Sequence, residues 1–252
     1  MNIAVITGAS SGLGREYVKA VFRMYPALEE IWIIARRENK LFELKVELGD
    51  KIRIFPIDIT DNFAVNQYSE MLKETNANVR LLINNAGFGK HGNFYEIPTE
   101  ENCGMVRLNC EALTLMTSVT LPFMSAGAEI INTCSIAAFA PNIRMAVYCS
   151  TKAYVMSFSR ALRGELKKRQ INVLAVCPGP MNTEFLPVAN IGKGTSKAFD
   201  TLPRVKVREM AEKSLLASKR KKAVYTNKGF YKFYRFIAKI LPTSFVMKMA
   251  KT

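Results

Sequence analysis

The 252-residue sequence predicts an α/β fold: a doubly wound parallel sheet with helices on both faces. Three observations carry that expectation. Short apolar runs alternate with longer stretches of helical periodicity, the mark of successive βα units. Several of those runs are apolar on both faces, as strands sandwiched between two helix layers must be. A glycine-rich turn follows the first run and opens the first helix, the setting in which such a turn binds phosphate. The length suits one undivided α/β domain spanning 1–252; no repeat, linker or low-complexity stretch divides it.

Strand-like runs occupy residues 3–7, 31–35, 52–57, 81–84, 129–133 and 171–177, with a weaker one at 223–225. Helical spacing covers 15–24, 40–48, 62–75, 105–121 and 148–168. In the first turn, Thr7-Gly8-Ala9-Ser10-Ser11-Gly12-Leu13-Gly14, Gly8 permits the tight bend. Gly12 and Gly14 let backbone N–H groups and the helix N-terminus approach a pyrophosphate. The end of the second run selects the nucleotide. An NAD site places an acid there to hold the ribose diol; here Ala35 is followed by Arg36 and Arg37, with no acid before Glu38. Arg36 suits the 2′-phosphate of NADP through charge-assisted bonds, and Ser10 could add a hydroxyl. NADP(H) is therefore expected ahead of NAD(H). The competing reading is a solvated loop.

Asp58 and Ile59 close the third run, where a carboxylate can accept from an adenine amino group; helix capping by Thr60 or Asp61 explains the segment equally well. Asn84-Asn85-Ala86-Gly87 ends the fourth run at the carboxyl edge, where ligands of open α/β sheets bind. Gly87 and Gly89 flank Phe88 in a loop open to close approach. His91, the only histidine, has no triad partner in view and is expected at the surface or a pocket rim. Asn109 sits among Met105, Leu108 and Leu113, where an amide must find partners; a hydrogen-bonding role and a satisfied core amide both fit. Ser135 ends the fifth run, and Pro178-Gly179-Pro180-Met181-Asn182-Thr183 is a rigid turn presenting a hydroxyl where a carboxamide could be held.

Tyr148 and Lys152 stand four residues apart, so on a helix they share one face. An ammonium there is expected to draw the phenol below its reference value of about 10, fitting it to exchange a proton with an alcohol near neutral pH. Alone, the pair more commonly marks a solvated helix face. The turn upstream and Ser135 give it meaning.

These residues closely resemble the NADP-preferring short-chain dehydrogenase/reductase family: the turn from Thr7 to Gly14, Asp58, Asn84 to Gly87, Asn109, Ser135, Tyr148 with Lys152, and Pro178 to Thr183, in order over about residues 1–185. The resemblance implies a Rossmann-type sheet of about seven strands in an α/β/α sandwich. It implies a catalytic set of Asn109, Ser135, Tyr148 and Lys152: Tyr148 as general acid/base, Ser135 bonding the substrate oxygen, Lys152 on the nicotinamide ribose, Asn109 holding a relay water. It implies cofactor contacts from Gly8, Ser10, Ser11, Gly12, Leu13, Gly14, Arg36, Asp58, Ile59, Asn85, Ala86, Gly87, Tyr148, Lys152, Pro178, Gly179 and Thr183. Family members are commonly dimers or tetramers. Ser11 departs from the strongest NADP pattern, standing where many NADP-preferring members carry Lys or Arg, which leaves the preference resting on Arg36.

Residues 184–203 are expected to form a variable loop over the active site, with Phe185, Leu186, Val188 and Ile191 as apolar surface. Phe88, Ile136, Phe139 and Met181 are candidates for the same pocket. A small-molecule carbonyl or secondary alcohol of lipophilic character follows: a ketone, hydroxysteroid or acyl-type substrate. The net charge of +15 is concentrated at the end: from Arg204 onward fourteen Lys or Arg face two Glu. Within residues 228–252, Phe230, Phe233, Tyr234, Ile237, Ile240 and Leu241 recur at helical spacing among Lys232, Arg235 and Lys239. This basic amphipathic tail is expected to pack on the domain, the pocket mouth or a second subunit. Peripheral membrane contact is the alternative; nucleic acid is disfavoured.

The five cysteines show neither C-x-x-C nor metal spacing and read as reduced thiols of a cytoplasmic protein. No metal site is expected. No leader precedes the first strand and no run reaches the ~18 apolar residues of a membrane span. The expectation is an oxidoreductase moving a hydride between NADP(H) and a carbonyl or alcohol; a non-catalytic NADP(H)-sensing regulator on the same fold is the alternative.

Overall fold

A computed structural model of the chain describes residues 1–192, 194 and 197–249. Seven strands form one sheet: β1 (Asn2–Thr7), β2 (Glu30–Ile34), β3 (Ile52–Phe55), β4 (Asn78–Asn84), β5 (Glu129–Thr133), β6 (Asn172–Val176) and β7 (Val224–Tyr225). Their order is β3-β2-β1-β4-β5-β6-β7, and every neighbouring pair is parallel. The helices are α1 (Gly12–Met24), α2 (Glu38–Leu48), α3 (Asn62–Glu74), α4 (Thr99–Val106), α5 (Leu113–Thr120), α6 (Ala146–Glu165), α7 (Phe185–Val188), α8 (Lys197–Thr201), α9 (Val207–Lys219), α10 (Gly229–Ile240) and α11 (Thr243–Met249).

Burial explains the two helix layers. On β1, Val5 and Ile6 point to opposite faces, yet both are wholly buried. Ile6 joins Tyr17, Val21 and Met210 beneath α1 and α9. Val5 joins Trp32, Tyr68 and Met116 beneath α3 and α5. A strand buried on both faces has no solvent side, hence its unbroken apolar sequence. The strand order reverses direction between β1 and β4, and the crevice at their carboxyl ends is where such a sheet takes its ligand.

Two elements differ from the sequence reading. Helix α9 escaped it because its apolar positions, Met210, Ala211 and Leu215, are interspersed with Arg208, Glu209, Glu212 and Lys213. The helix expected over 105–121 is three pieces, α4 and α5 joined by a π-helical stretch, Arg107–Ala112. Of the expected loop 184–203, residues 193, 195 and 196 lie outside the described residues, as do 250–252 of the tail. Among the described residues no helix is long and apolar enough to cross a membrane, and no cluster of His, Cys, Asp or Glu could hold a metal.

Candidate active site

A cavity of about 1180 Å³ opens along the carboxyl edge of the sheet. Its floor is the first turn, held by contacts too close for side chains. A Cβ on Gly14 would lie 2.0 Å from the Gly8 carbonyl oxygen, and one on Gly8 would lie 2.8 Å from the Ala86 Cα. Gly8 and Gly12 also have φ of 67° and 51°, a left-handed backbone that glycine adopts without strain. Thr7 locks this turn to the next strand, its hydroxyl accepting from the N–H of Asn85 (3.0 Å) and of Ala86 (3.1 Å). Asn85 answers with its own side chain, donating to the Thr7 and Gly8 carbonyls at 3.3 and 3.4 Å. That amide therefore faces the protein.

Ser11 is the N-cap residue of α1 but makes no side-chain capping hydrogen bond, and no acid occupies the first turn. The uncapped N–H groups and the positive end of the helix dipole are suited to a pyrophosphate. With the close-packed glycines, this is the cradle a dinucleotide needs.

The two arginines separate. Arg37, which the sequence reading passed over, donates to the Ser10 hydroxyl at 3.0 Å and to Glu184 at 2.8 Å. Arg36 is 76% exposed and approaches Asp58 at 3.8 Å. Asp58 spends one oxygen on the Thr60 N–H and hydroxyl, at 3.0 and 2.8 Å, leaving the other toward Arg36. Asp61, as expected, caps α3.

Farther in lie Ser135, Tyr148 and Lys152, all nearly buried. The Ser135 hydroxyl accepts from the Ala137 N–H at 3.1 Å, which fixes its rotamer at the cavity wall. The Lys152 ammonium donates to the Thr133 carbonyl at 3.0 Å and lies 5.8 Å from the centre of the Tyr148 ring. Burial lowers the Lys152 pKa. Burial also drives the Tyr148 phenol well above its usual value, with the Ser135 hydroxyl pulling only partly the other way. Against the expected depression of Tyr148 by Lys152, desolvation of the buried phenol dominates and raises its pKa. In this state Tyr148 is a protonated donor at neutral pH.

Asn109 and Gly14 alone among the predicted site residues do not line the cavity. Gly14 supports the turn from behind. Asn109, on the π-helical stretch, accepts from the Phe88 N–H (3.0 Å) and donates to the Phe88 carbonyl (2.8 Å) and the Thr151 hydroxyl (3.0 Å). Both amide hydrogens are engaged, so the side chain clamps the 87–89 loop and has no donor left for a water. Gly89 lets that loop pass over the catalytic face, since a Cβ there would lie 2.7 Å from the Tyr148 ring.

Most of the outer wall comes from the last third of the chain. Phe185, Leu186, Val188 and Ile191 line the cavity, as do Phe88, Ile136 and Met181. Phe139 does not; it packs on Tyr234, with ring centres 5.9 Å apart. Helices α10 and α11 add Phe230, Tyr231, Tyr234, Ile237 and Val246, a wall whose members no motif announces. His91 is buried, not at a rim; its ring meets Phe199 edge-on at 5.8 Å, and burial lowers its pKa.

Residues 2–193 match the family model of the short chain dehydrogenases. The chain belongs to that family. As a short-chain dehydrogenase it is an oxidoreductase with a pyridine-nucleotide cofactor, and the cradle described above fits one. It is 33% identical over 209 residues to sulfoacetaldehyde reductase 2 of Chromohalobacter salexigens, covering 81% of each chain. A short-chain dehydrogenase of Sphingobium yanoikuyae solved with NADPH superposes with a TM-score of 0.78 at 28% identity, over 90% of this chain and 87% of that one. The 3-ketoacyl-(acyl-carrier-protein) reductase of Brucella melitensis, solved with NADH, gives 0.77 at 26% identity, over 90% and 97%.

Proposed function

We propose that this short-chain dehydrogenase is an NADP(H)-dependent ketoreductase that interconverts a lipophilic carbonyl compound and its secondary alcohol. One observation carries the reading. A single cavity runs from the phosphate cradle past Ser135 and Tyr148 to a wall of Phe88, Met145, Phe185, Ile191, Tyr234 and Ile237. A hydroxyl and a phenol at the junction of a nucleotide trough and an apolar chamber are placed to handle one polar oxygen on an otherwise apolar molecule.

The bound nicotinamide supplies the hydride in the reducing direction. The chain's own groups handle the oxygen. Ser135, held by the Ala137 N–H, orients it and donates to it as negative charge builds. Tyr148, kept protonated by burial, delivers the proton. Lys152, anchored on the Thr133 carbonyl and beside Gly87, is placed for the ribose and stabilises the phenolate left behind. Asn109 acts at one remove by holding the loop that confines the substrate. Thr183, whose side chain approaches Gly12, is placed to meet the carboxamide with its hydroxyl.

The NADP preference is supported by the absence of an acid at Ala35 and by two arginines at that edge of the cavity. The NADPH found in the Sphingobium relative agrees with it. NADPH oxidation over a series of ketones of rising chain length tests the whole reading. Turnover with kcat/KM climbing with apolar length is expected; cofactor binding without turnover across the series would make the protein a nucleotide sensor instead.

A further inference from the structure

Helix α10 has three faces. At 3.6 residues per turn, Tyr231, Tyr234, Ala238 and Leu241 fall on one. That face is the inner one: Tyr231 is fully buried, and its hydroxyl donates to the Pro203 carbonyl at 2.8 Å. Lys228, Lys232, Arg235 and Lys239 fall on a second. Phe230, Phe233, Phe236 and Ile240 fall on the third and are 54%, 63%, 59% and 60% exposed. Phe245, on the next helix, is also exposed.

Four large apolar side chains along one exposed stripe are far more than scattered surface hydrophobics, and such a patch marks an interaction site. The neighbouring stripe says with what. No Asp or Glu follows Glu212 in the sequence, so the segment carries no acid of its own to offset the four cations; of these, Lys228 interacts with Glu209 of α9. A second copy of this face would bring cations against cations. A nucleic acid would satisfy the cations and leave the phenyl rings in water. An anionic phospholipid surface satisfies both stripes, phosphate groups meeting the cations while the rings enter the headgroup–acyl boundary.

We propose that α10 is a docking helix that lays this face on an anionic membrane. Its location gives the docking a purpose. The seam where the inner and the exposed apolar faces of the same helix meet, at Phe230, Tyr234 and Ile237, lines the cavity. A docked molecule therefore sets the apolar end of its cavity against the bilayer, and a lipophilic substrate enters without crossing water. Only this last step rests on the proposed ketoreductase reading; the docking itself does not.

Co-sedimentation with vesicles separates the outcomes, using the full chain, phosphatidylglycerol in phosphatidylcholine or phosphatidylcholine alone, and low or raised salt. We expect binding to the anionic vesicles that falls as salt rises. Lys232→Glu/Lys239→Glu should reduce the partition coefficient by about tenfold or more, on the scale of membrane attraction per basic residue. Phe233→Ser/Phe236→Ser should reduce it comparably. Neither pair lines the cavity, so melting temperature and turnover of a short, water-soluble ketone should stay as in wild type. The proposal is overturned by absence of binding to anionic vesicles, by equal binding to neutral ones, or by variants that bind like wild type. It is also overturned if the Phe variant converts a dimer to a monomer while vesicles never bind, which would make the face a subunit interface. Vesicle binding requires no turnover, so it stands or falls apart from the reductase reading.

Discussion

The floor of the cavity and its outer wall are built by different means. The floor, from Gly8 to Thr183, is made of backbone brought together where side chains are absent: Gly14 against the Gly8 carbonyl, Gly8 against Ala86, Gly89 against the Tyr148 ring. The wall, from Glu184 to Val246, is made of side chains, chiefly aromatic and aliphatic. A backbone-built site tolerates almost no substitution, because an added methyl has nowhere to go. A side-chain wall tolerates exchange of apolar groups of similar volume. On the proposed reading, the floor fixes the chemistry and the wall sets what enters.

The comparison is broken most directly at Tyr148. Tyr148→Phe keeps the ring that packs on Phe185 and removes only the proton donor. Turnover should fall about 10²–10⁴-fold, the usual contribution of an acid or base, while NADPH titration shows binding nearly intact. Retained turnover would mean that another group protonates the oxygen. The pH profile supplies the sign. A donor works below its pKa, and burial raises that of Tyr148, so the working range extends upward. Ketone reduction at saturating NADPH should show no loss due to the phenol between pH 7 and its ordinary value of about 10. A fall in kcat/KM starting near neutrality would show that Lys152, not burial, governs the phenol.

Floor and wall meet at Gly179. A Cβ there would stand 2.3 Å from the Tyr231 ring, which belongs to α10. Gly179→Ala should destabilise the fold by about 1–3 kcal/mol, the range for overpacking a filled site, read as a shift of the urea midpoint. Tyr231→Ala in the same chain should recover part of that loss, because the two changes share one contact and cannot add. Strict additivity would show that the C-terminal helix packs independently of the cofactor loop.

The same division governs what could be read from the sequence. Gly8, Gly12, Ser135, Tyr148 and Lys152, which all line the cavity, could be singled out because each backbone or chemical demand admits one or two residue types at a fixed spacing. The sheet was legible because strands buried on both faces are apolar throughout, Val5 and Ile6 alike. The wall was not, since Phe230 or Ile237 carries no spacing that separates lining from packing. Asn109 was found, but its partners were not. A π-helical stretch turns its side chain toward Phe88 and Thr151, and no residue pattern marks that extra backbone atom set. The phenol's direction of shift was also hidden, because it depends on how deeply the folded chain buries Tyr148.

Arg36 and Arg37 sharpen the contrast from the cofactor side. Arg36, largely in water, is free to turn toward a 2′-phosphate. Arg36→Ala should weaken NADPH by about 1.5–3 kcal/mol, the scale for hydrogen bonds to charged groups, and leave NADH almost unchanged in the same calorimetric titration. Equal losses for the two cofactors would remove Arg36 from phosphate recognition.

The smallest effect is the most informative about how wall and floor communicate. Glu184, at the start of α7, holds Arg37 at 2.8 Å, and the Arg37 bond first, with the Ser11 hydroxyl assisting, lowers the Glu184 pKa. Being depressed, that carboxylate stays charged through neutral pH and releases Arg37 only when acid carries the solution through its folded-state pKa. A 2′-phosphate on Ser10 would have to share Arg37 with it. Glu184→Gln removes the competing charge and frees the guanidinium. Because the pair is exposed, its interaction is worth only about 0.2–1 kcal/mol, so NADPH should bind up to about fivefold tighter, with NADH unaffected. Weaker NADPH binding would reverse the assignment: the carboxylate would then serve to aim Arg37 at the phosphate, making the start of α7 part of the nucleotide site.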